Sequence, residues 1–348
     1  WIGLDKGSRV RKIDSYSHLF PPAYFERMKA LAKDPGAIKR WLTVPVLYDL
    51  DARLKMMDEF PGYQQILTLS SPPIEFVAGP EDSPELARLA NDGMAEIVAQ
   101  HPDKFPAFVA SLPMNNVEAA LREMDRAIGE LGARGIQIFT NVNGRPLDDP
   151  EFWPIFEKAV NEYQVPIWMH PARGANFPDY LTEKKSKFEI WWTFGWPYET
   201  SAAMTRMVFS GFFDKLPEMK LVTHHMGAMI PFFDGRVGPG LDQFGSRTSD
   251  EDYEGLLQRM PKRPIDYFRM FYADTALAGS KAGVACGLEF FGAEKVLFAT
   301  DCPFDPEGGP AFIRSIPEAI DALDLSEADR EGIYFGNALK LLKMGCDC

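Results

Sequence analysis

The chain has 348 residues, 46% hydrophobic and 25% charged, the make-up of a globular protein with ample material for a core. Fifty acidic residues against 37 basic ones leave a net charge of −13, a field that repels phosphate backbones and argues against nucleic acid as a partner. No apolar run approaches the roughly 18 residues needed to span a bilayer, so no membrane partner is expected.

The chain opens WIGLDKGSRV, without Met and without a basic-then-apolar leader, and is expected to have lost its first residues. Short β-branched and aromatic runs then recur. Strands are expected at 11–15 (RKIDS), 65–70 (QILTLS), 107–112 (AFVASL), 135–140 (GIQIFT), 165–170 (VPIWMH), 221–225 (LVTHH), 269–275 (RMFYADT) and 296–301 (VLFATD). These are continuous apolar runs rather than alternating ones, which suits strands buried on both faces. Amphipathic helices are expected between them, at 85–101 ahead of Pro102 and at 117–132 ending on Gly132. Eight βα units in this length predict an α/β fold, a (β/α)8 TIM barrel, spanning 1–348 as a single domain with insertions at about 20–60 and 174–200. A doubly wound open sheet is the rival, but no strand runs into a G-x-G-x-x-G turn. The four cysteines, Cys286, Cys302, Cys346 and Cys348, form no pairing framework; reduced thiols and a cytoplasmic location are expected.

Of the five histidines, His18, His170, His224 and His225 lie at or just beyond the C-terminal ends of predicted strands, the face where barrel active sites are built. His101 instead follows a helix and precedes Pro102, as an exposed helix-end residue would. Asp301 ends the eighth apolar run, where a lone buried carboxylate would be costly without a cation or protonated imidazoles beside it. His18, His170 and Asp301 are therefore expected to share one divalent ion, with His225 beside it. Nitrogen and oxygen donors in this mixture suit zinc or manganese.

A set of motifs in this order carries a resemblance. They are the strand-1 position of His18, NGRPLDDPEFWPIFEKA (143–159), PIWMHP (166–171), HHMGAMIPFFDGR (224–236), FATDCPFD (298–305) and IYFGNALKLL (333–342). Over nearly the whole chain the sequence resembles the amidohydrolase superfamily, in the branch of aminocarboxymuconate semialdehyde decarboxylase and the γ-resorcylate-type decarboxylases. The resemblance implies a distorted barrel of that type, metal ligands at His18, His170 and Asp301, and a strand-6 histidine acting on substrate or water. Its H-x-G pattern selects His225, which would turn His224 to the other side of the strand. Strand 4 lacks the lysine that bridges two metals in many members, which implies a mononuclear site. Where the family reads H-x-H, or a glutamate in some decarboxylases, this chain reads Tyr16-Ser17-His18. Tyr16 is then a phenolate ligand, a hydroxyl donor to water or substrate, or packing in a barrel that has lost its metal.

A mononuclear centre beside a histidine supports two reactions. The first is non-oxidative decarboxylation of a small anionic aromatic or unsaturated acid, with Asp301 carrying the proton and His225 stabilising charge. The second is hydrolysis of a C–C, ester or lactone bond in a similar substrate. An inactive barrel with a binding role is the third reading. Trp168, Trp191, Trp192, Phe194 and Trp196 crowd the region of strand 5, and Trp191 and Phe194 are expected to flank a flat substrate. Arg173 sits three residues after His170, placed to hold a carboxylate. Arg53 and Arg236 match substrate-binding arginines of the semialdehyde decarboxylase, the second donated by a neighbouring subunit; a homodimer or higher homo-oligomer is expected on that basis.

Overall fold

Strands form where the apolar runs lie. A computed structural model describes residues 10–32, 39–248 and 250–345. Its barrel strands are β1 (Lys12–Leu19), β2 (Tyr63–Leu69), β3 in two pieces (Ala107–Phe108 and Ala110–Ser111), β4 (Ile136–Phe139), β5 (Ile167–His170), β6 (Leu221–Thr223), β7 (Tyr272–Asp274) and β8 (Val296–Leu297). Neighbours pair in parallel from β1 through β2 to the first piece of β3, and from the second piece through β4, β5, β6 and β7 to β8. Past β8 the chain runs along β1: Ser15 N donates to Phe298 O and His18 N to Cys302 O, each at 2.8 Å. That seam completes a (β/α)8 barrel.

The helices between strands follow the expected amphipathic logic. The helix α1 spans Pro22–Leu31 and α2 spans Leu50–Met57, both inside the 20–60 insertion. The helix α3 (Ser83–Gln100) buries Leu86, Ala87, Ala90, Met94 and Ile97 at three- and four-residue spacing. The side chain of Asn116 caps α4 (Val117–Gly129) by accepting from Ala119 N. The aromatic stretch 191–200, read from the sequence as insertion, instead leads into α5 (Gly195–Phe209). The helix α6 spans Lys281–Phe291.

Ile13, Tyr16, Ile66, Val109, Trp168, Val222, Leu297 and Ala299 fill the barrel interior, while a larger apolar layer packs helices on strands. Trp168 is therefore not part of a substrate-facing aromatic cluster. It is fully buried, its indole N–H donates to Ser15 O at 3.0 Å, and a Cβ on Gly135 would stand 2.7 Å from its ring. Among the described residues no helix is long and apolar enough to cross a membrane. Cys286 and Cys302 are free thiols; Cys346, Cys348 and the first nine residues lie outside the described residues.

Glu75, on the short helix after β2, is 4% exposed and its Oε1 has no partner among the described residues. Burial pushes its carboxyl up to about 8 from an ordinary 4.5. The unfolded chain ionises this group first as pH rises, so its contribution is present below pH 4.5 and is lost on the way to about 8. Glu75→Gln should flatten that part of the profile of melting temperature against pH, stabilising the protein at pH 8 relative to wild type and not at pH 4. Parallel profiles for the two proteins would show that Glu75 is not the titrating group.

Candidate metal centre and active site

His18 ends β1, where its position is over-determined. Thr68 Oγ1 on β2 lies 3.2 Å from its Nδ1, and Arg53 holds its carbonyl at 2.9 Å. Its Nε2 is fully buried and 3.1 Å from Asp301 Oδ1, but not aligned as a hydrogen bond. Burial lowers the pKa of this ring. His170 ends β5 and donates from Nδ1 to Pro171 O at 2.7 Å, which leaves Nε2 with a free lone pair. Burial first, then the neighbouring imidazoles, depress His170 well below its usual value, so it stands neutral as a ligand must.

The pair after β6 departs from expectation. His224 does not turn away: its ring stacks on Tyr16 at 4.0 Å, its Nδ1 donates to Asp274 Oδ2 at 2.6 Å, and its Nε2 is 3.3 Å from Asp301 Oδ1. His225 lies on the same side, its Nε2 3.7 Å from Asp301 Oδ2 and its ring centroid 3.8 Å from that of His224. Alternation fails because β6 stops at Thr223. His225, Met226, Gly227 and Ala228 then all adopt positive φ, 58°, 56°, 69° and 57°. Strictly alternating sides belong to extended backbone, and a left-handed turn replaces them. Non-glycine residues resist this conformation by about 1–2 kcal/mol each, so packing has to hold it. It does: Met226 is buried against Gly287 of α6, where a Cβ would stand 2.1 Å from its Cγ, and Gly227 meets the Phe291 ring.

Burial alone would lower His224, but Asp274 and then Asp301 raise it to about 10. Burial would raise Asp301, but His18, His224 and His225 hold its carboxyl well below the usual range. Asp301 has a positive φ of 60°, four residues beyond the end of β8. Tyr16 is fully buried, its hydroxyl without a partner among the described residues; burial, then Asp274 and Asp301, push its pKa well above 10 and keep the phenol neutral. Among the described residues two groups of side chains offer donor atoms within 4.8 Å of one another, His18, His170 and His224, and His224, His225 and Asp301; the expected trio of His18, His170 and Asp301 is not by itself one of them. Buried nitrogen and carboxylate donors, one of them an unaligned imidazole Nε2, form a set into which a zinc or manganese ion fits.

Asp274 escaped the sequence reading, and His224 was named there only to be turned away from the site. Asp274 ends an apolar strand just as Asp301 does, and the same cost of a lone buried carboxylate would have singled it out. The substrate-binding assignment of Arg53 is corrected. Its guanidinium is fully buried and donates to Gln65 Oε1, His18 O, Val46 O and Ser17 Oγ, so it positions β1 instead of facing a ligand. Arg173 is part-exposed, 3.4 Å from Glu199. Trp196 brings the aromatic loop to the histidines, its ring 6.4 Å from His225 and 5.5 Å from His170, with Trp191 behind it at 5.7 Å. Phe194 is 72% exposed, and Arg236 is exposed beside the Phe233 ring.

Arg53→Lys should lower stability by about 1.5–3 kcal/mol, because an ammonium cannot serve all four acceptors. Urea denaturation checks this. An unchanged midpoint with only a raised KM would return Arg53 to the substrate.

The amidohydrolase family model matches residues 20–344. The chain is 31% identical over 295 residues to 2-amino-3-carboxymuconate-6-semialdehyde decarboxylase of Dictyostelium discoideum, covering 85% of this chain and 77% of that one. It is 32% identical over 314 residues to γ-resorcylate decarboxylase of a Polaromonas species, covering 84% and 87%. A dihydroxybenzoic acid decarboxylase from Polaromonas, solved with bound manganese and the inhibitor 2-nitroresorcinol, superposes with a TM-score of 0.75 at 28% identity over 96% of this chain and 97% of that one. With a family match across most of its length, a barrel of this form and relatives above 30% identity, the chain belongs to the amidohydrolase family.

Proposed function

We propose that this protein is a metal-dependent, non-oxidative decarboxylase of a small aromatic or unsaturated carboxylic acid, holding one divalent ion, zinc or manganese, with His18, His170 and Asp301. The observation that carries the proposal is the convergence of these side chains, with His225, at the C-terminal mouth of the barrel. Relatives named as decarboxylases of such acids support it, and a neighbour solved with bound manganese supports a divalent ion.

When bound, the ion supplies fixed positive charge that neutralises a substrate carboxylate and an adjacent oxygen. The protein supplies the rest. Asp301 and His225 are about one-fifth exposed while His18 and His224 are sealed, so these two face the substrate. Asp301 carries a proton taken from solvent to the substrate carbon, and His225, its Nε2 3.7 Å from Asp301 Oδ2, stabilises the negative charge that develops. The C–C bond breaks, CO2 departs, and the electron pair left on carbon takes that proton. Trp196 offers a flat face for the ring, and Arg173 reaches the substrate's carboxylate from its loop. Arg236 points outward and serves the site of a second copy in a homodimer.

The test is CO2 release from a panel that includes 2,6-dihydroxybenzoate and 2-amino-3-carboxymuconate-6-semialdehyde. Chelation should abolish turnover, added manganese or zinc should restore it, and Asp301→Asn should abolish it with the fold intact. A product carrying oxygen from labelled water, without CO2, would establish the hydrolase instead. A protein whose stability and activity ignore chelator and ions alike would be an inactive barrel.

A further inference from the structure

The donor set carries one imidazole too few on β1 and one too many after β6. Position 16, where the resemblance leads one to expect a histidine or glutamate, holds a tyrosine whose hydroxyl has no partner among the described residues. Directly against its ring, at 4.0 Å and 26°, stacks His224. We propose that His224 fills the coordination position that Tyr16 vacates, with Asp274 as its supporting carboxylate, so that the ion is held by His18, His170, His224 and Asp301. The assignment rests on the proposed metal centre and deepens it.

Geometry distinguishes His224 from its neighbour. The Nε2 atoms of His18 and His224 approach the same oxygen, Asp301 Oδ1, at 3.1 and 3.3 Å, whereas His225 Nε2 lies nearest the other oxygen, at 3.7 Å. Donor atoms of His18, His170 and His224 stand within 4.8 Å of one another, and His224 belongs to both donor groups. Imidazole nitrogens bound tetrahedrally to zinc at about 2.0–2.1 Å stand about 3.3–3.4 Å apart, so the rings draw inward by up to about 1.5 Å when the set closes on an ion. The Nδ1–Asp274 bond fixes the ring and aims Nε2 at the cluster, as carboxylates behind metal-bound imidazoles do, and the arriving ion displaces the proton that Asp274 and Asp301 otherwise keep on this ring. Asp274 is itself immobilised, its Oδ1 accepting from His225 N at 3.0 Å and Ala276 N at 3.1 Å. A second large ring at position 16 is tolerated because it forms the wall on which His224 is stacked.

Metal content by elemental analysis and zinc and manganese affinity by calorimetry test this on the purified protein. His224→Gln should weaken binding by more than the about 10–100-fold expected of Asp274→Asn, and Tyr16→His in the His224→Gln background should restore it. His225→Gln should lose turnover and keep its metal. A folded His224→Gln protein that binds metal as wild type does would overturn the assignment and leave the proposed function standing. Wild-type protein that takes up no metal would overturn both. Should His224→Gln fail to fold, a zinc-soaked crystal of the wild type decides: an ion at about 2.0–2.1 Å from His224 Nε2 is expected, and an ion bound without it refutes the assignment.

Discussion

A carboxylate enclosed by imidazoles is the constraint on which the rest of this molecule depends. Asp301 has been drawn out of water, and its charge is sustained by ring nitrogens of His18, His224 and His225 at 3.1 to 3.7 Å. Those rings come from the ends of β1 and β6, and His170 joins them from β5. Their meeting requires a closed barrel, and the seam that closes it is where the carboxylate is anchored. Among the described residues one isolated bridge, Ser17 to Cys302, joins the two runs in ladder fashion. Side chains reinforce it: Asp14 accepts from Thr300 and Tyr63, and Arg53 grips the carbonyl of His18. Closure of the fold and placement of the site are thus the same set of contacts.

The four histidines at this mouth are chemically distinct because each has a different partner. A backbone carbonyl holds His170, a threonine hydroxyl flanks His18, and a carboxylate holds His224. His225 reaches toward Asp301 and the opening, between the His224 ring at 3.8 Å and Trp196 stacked at 6.4 Å. Orientation of one ring nitrogen by what the other one binds is the usual way a protein separates ligands from acid–base groups. An acidic surface overall therefore coexists with a site built largely from nitrogen donors.

Much of this was legible in the sequence. Apolar runs located eight strands, and polar residues at their C-terminal ends located His18, His170 and Asp301. Period-two alternation misled at His224, because backbone chirality beyond Thr223 is set by tertiary packing of Met226 and Gly227 on α6, which no local pattern encodes. Arg53 was placed in the right neighbourhood and given the wrong task, since its four acceptors come from β1, β2 and the 20–60 insertion, which only the folded barrel brings together. Trp168 was grouped with the aromatic residues crowding strand 5 because no local pattern shows that Gly135 makes room for its ring inside the barrel.

The left-handed run from His225 to Ala228 has a consequence for how such a centre can change over time. In an extended strand, adjacent residues serve opposite compartments, so a gain of chemistry on one side must come from every second position. A short reversal of backbone hand lifts that rule and lets two consecutive residues work in one chamber. A lost donor on one stave of the barrel can then be supplied from another by a single replacement, with the architecture untouched.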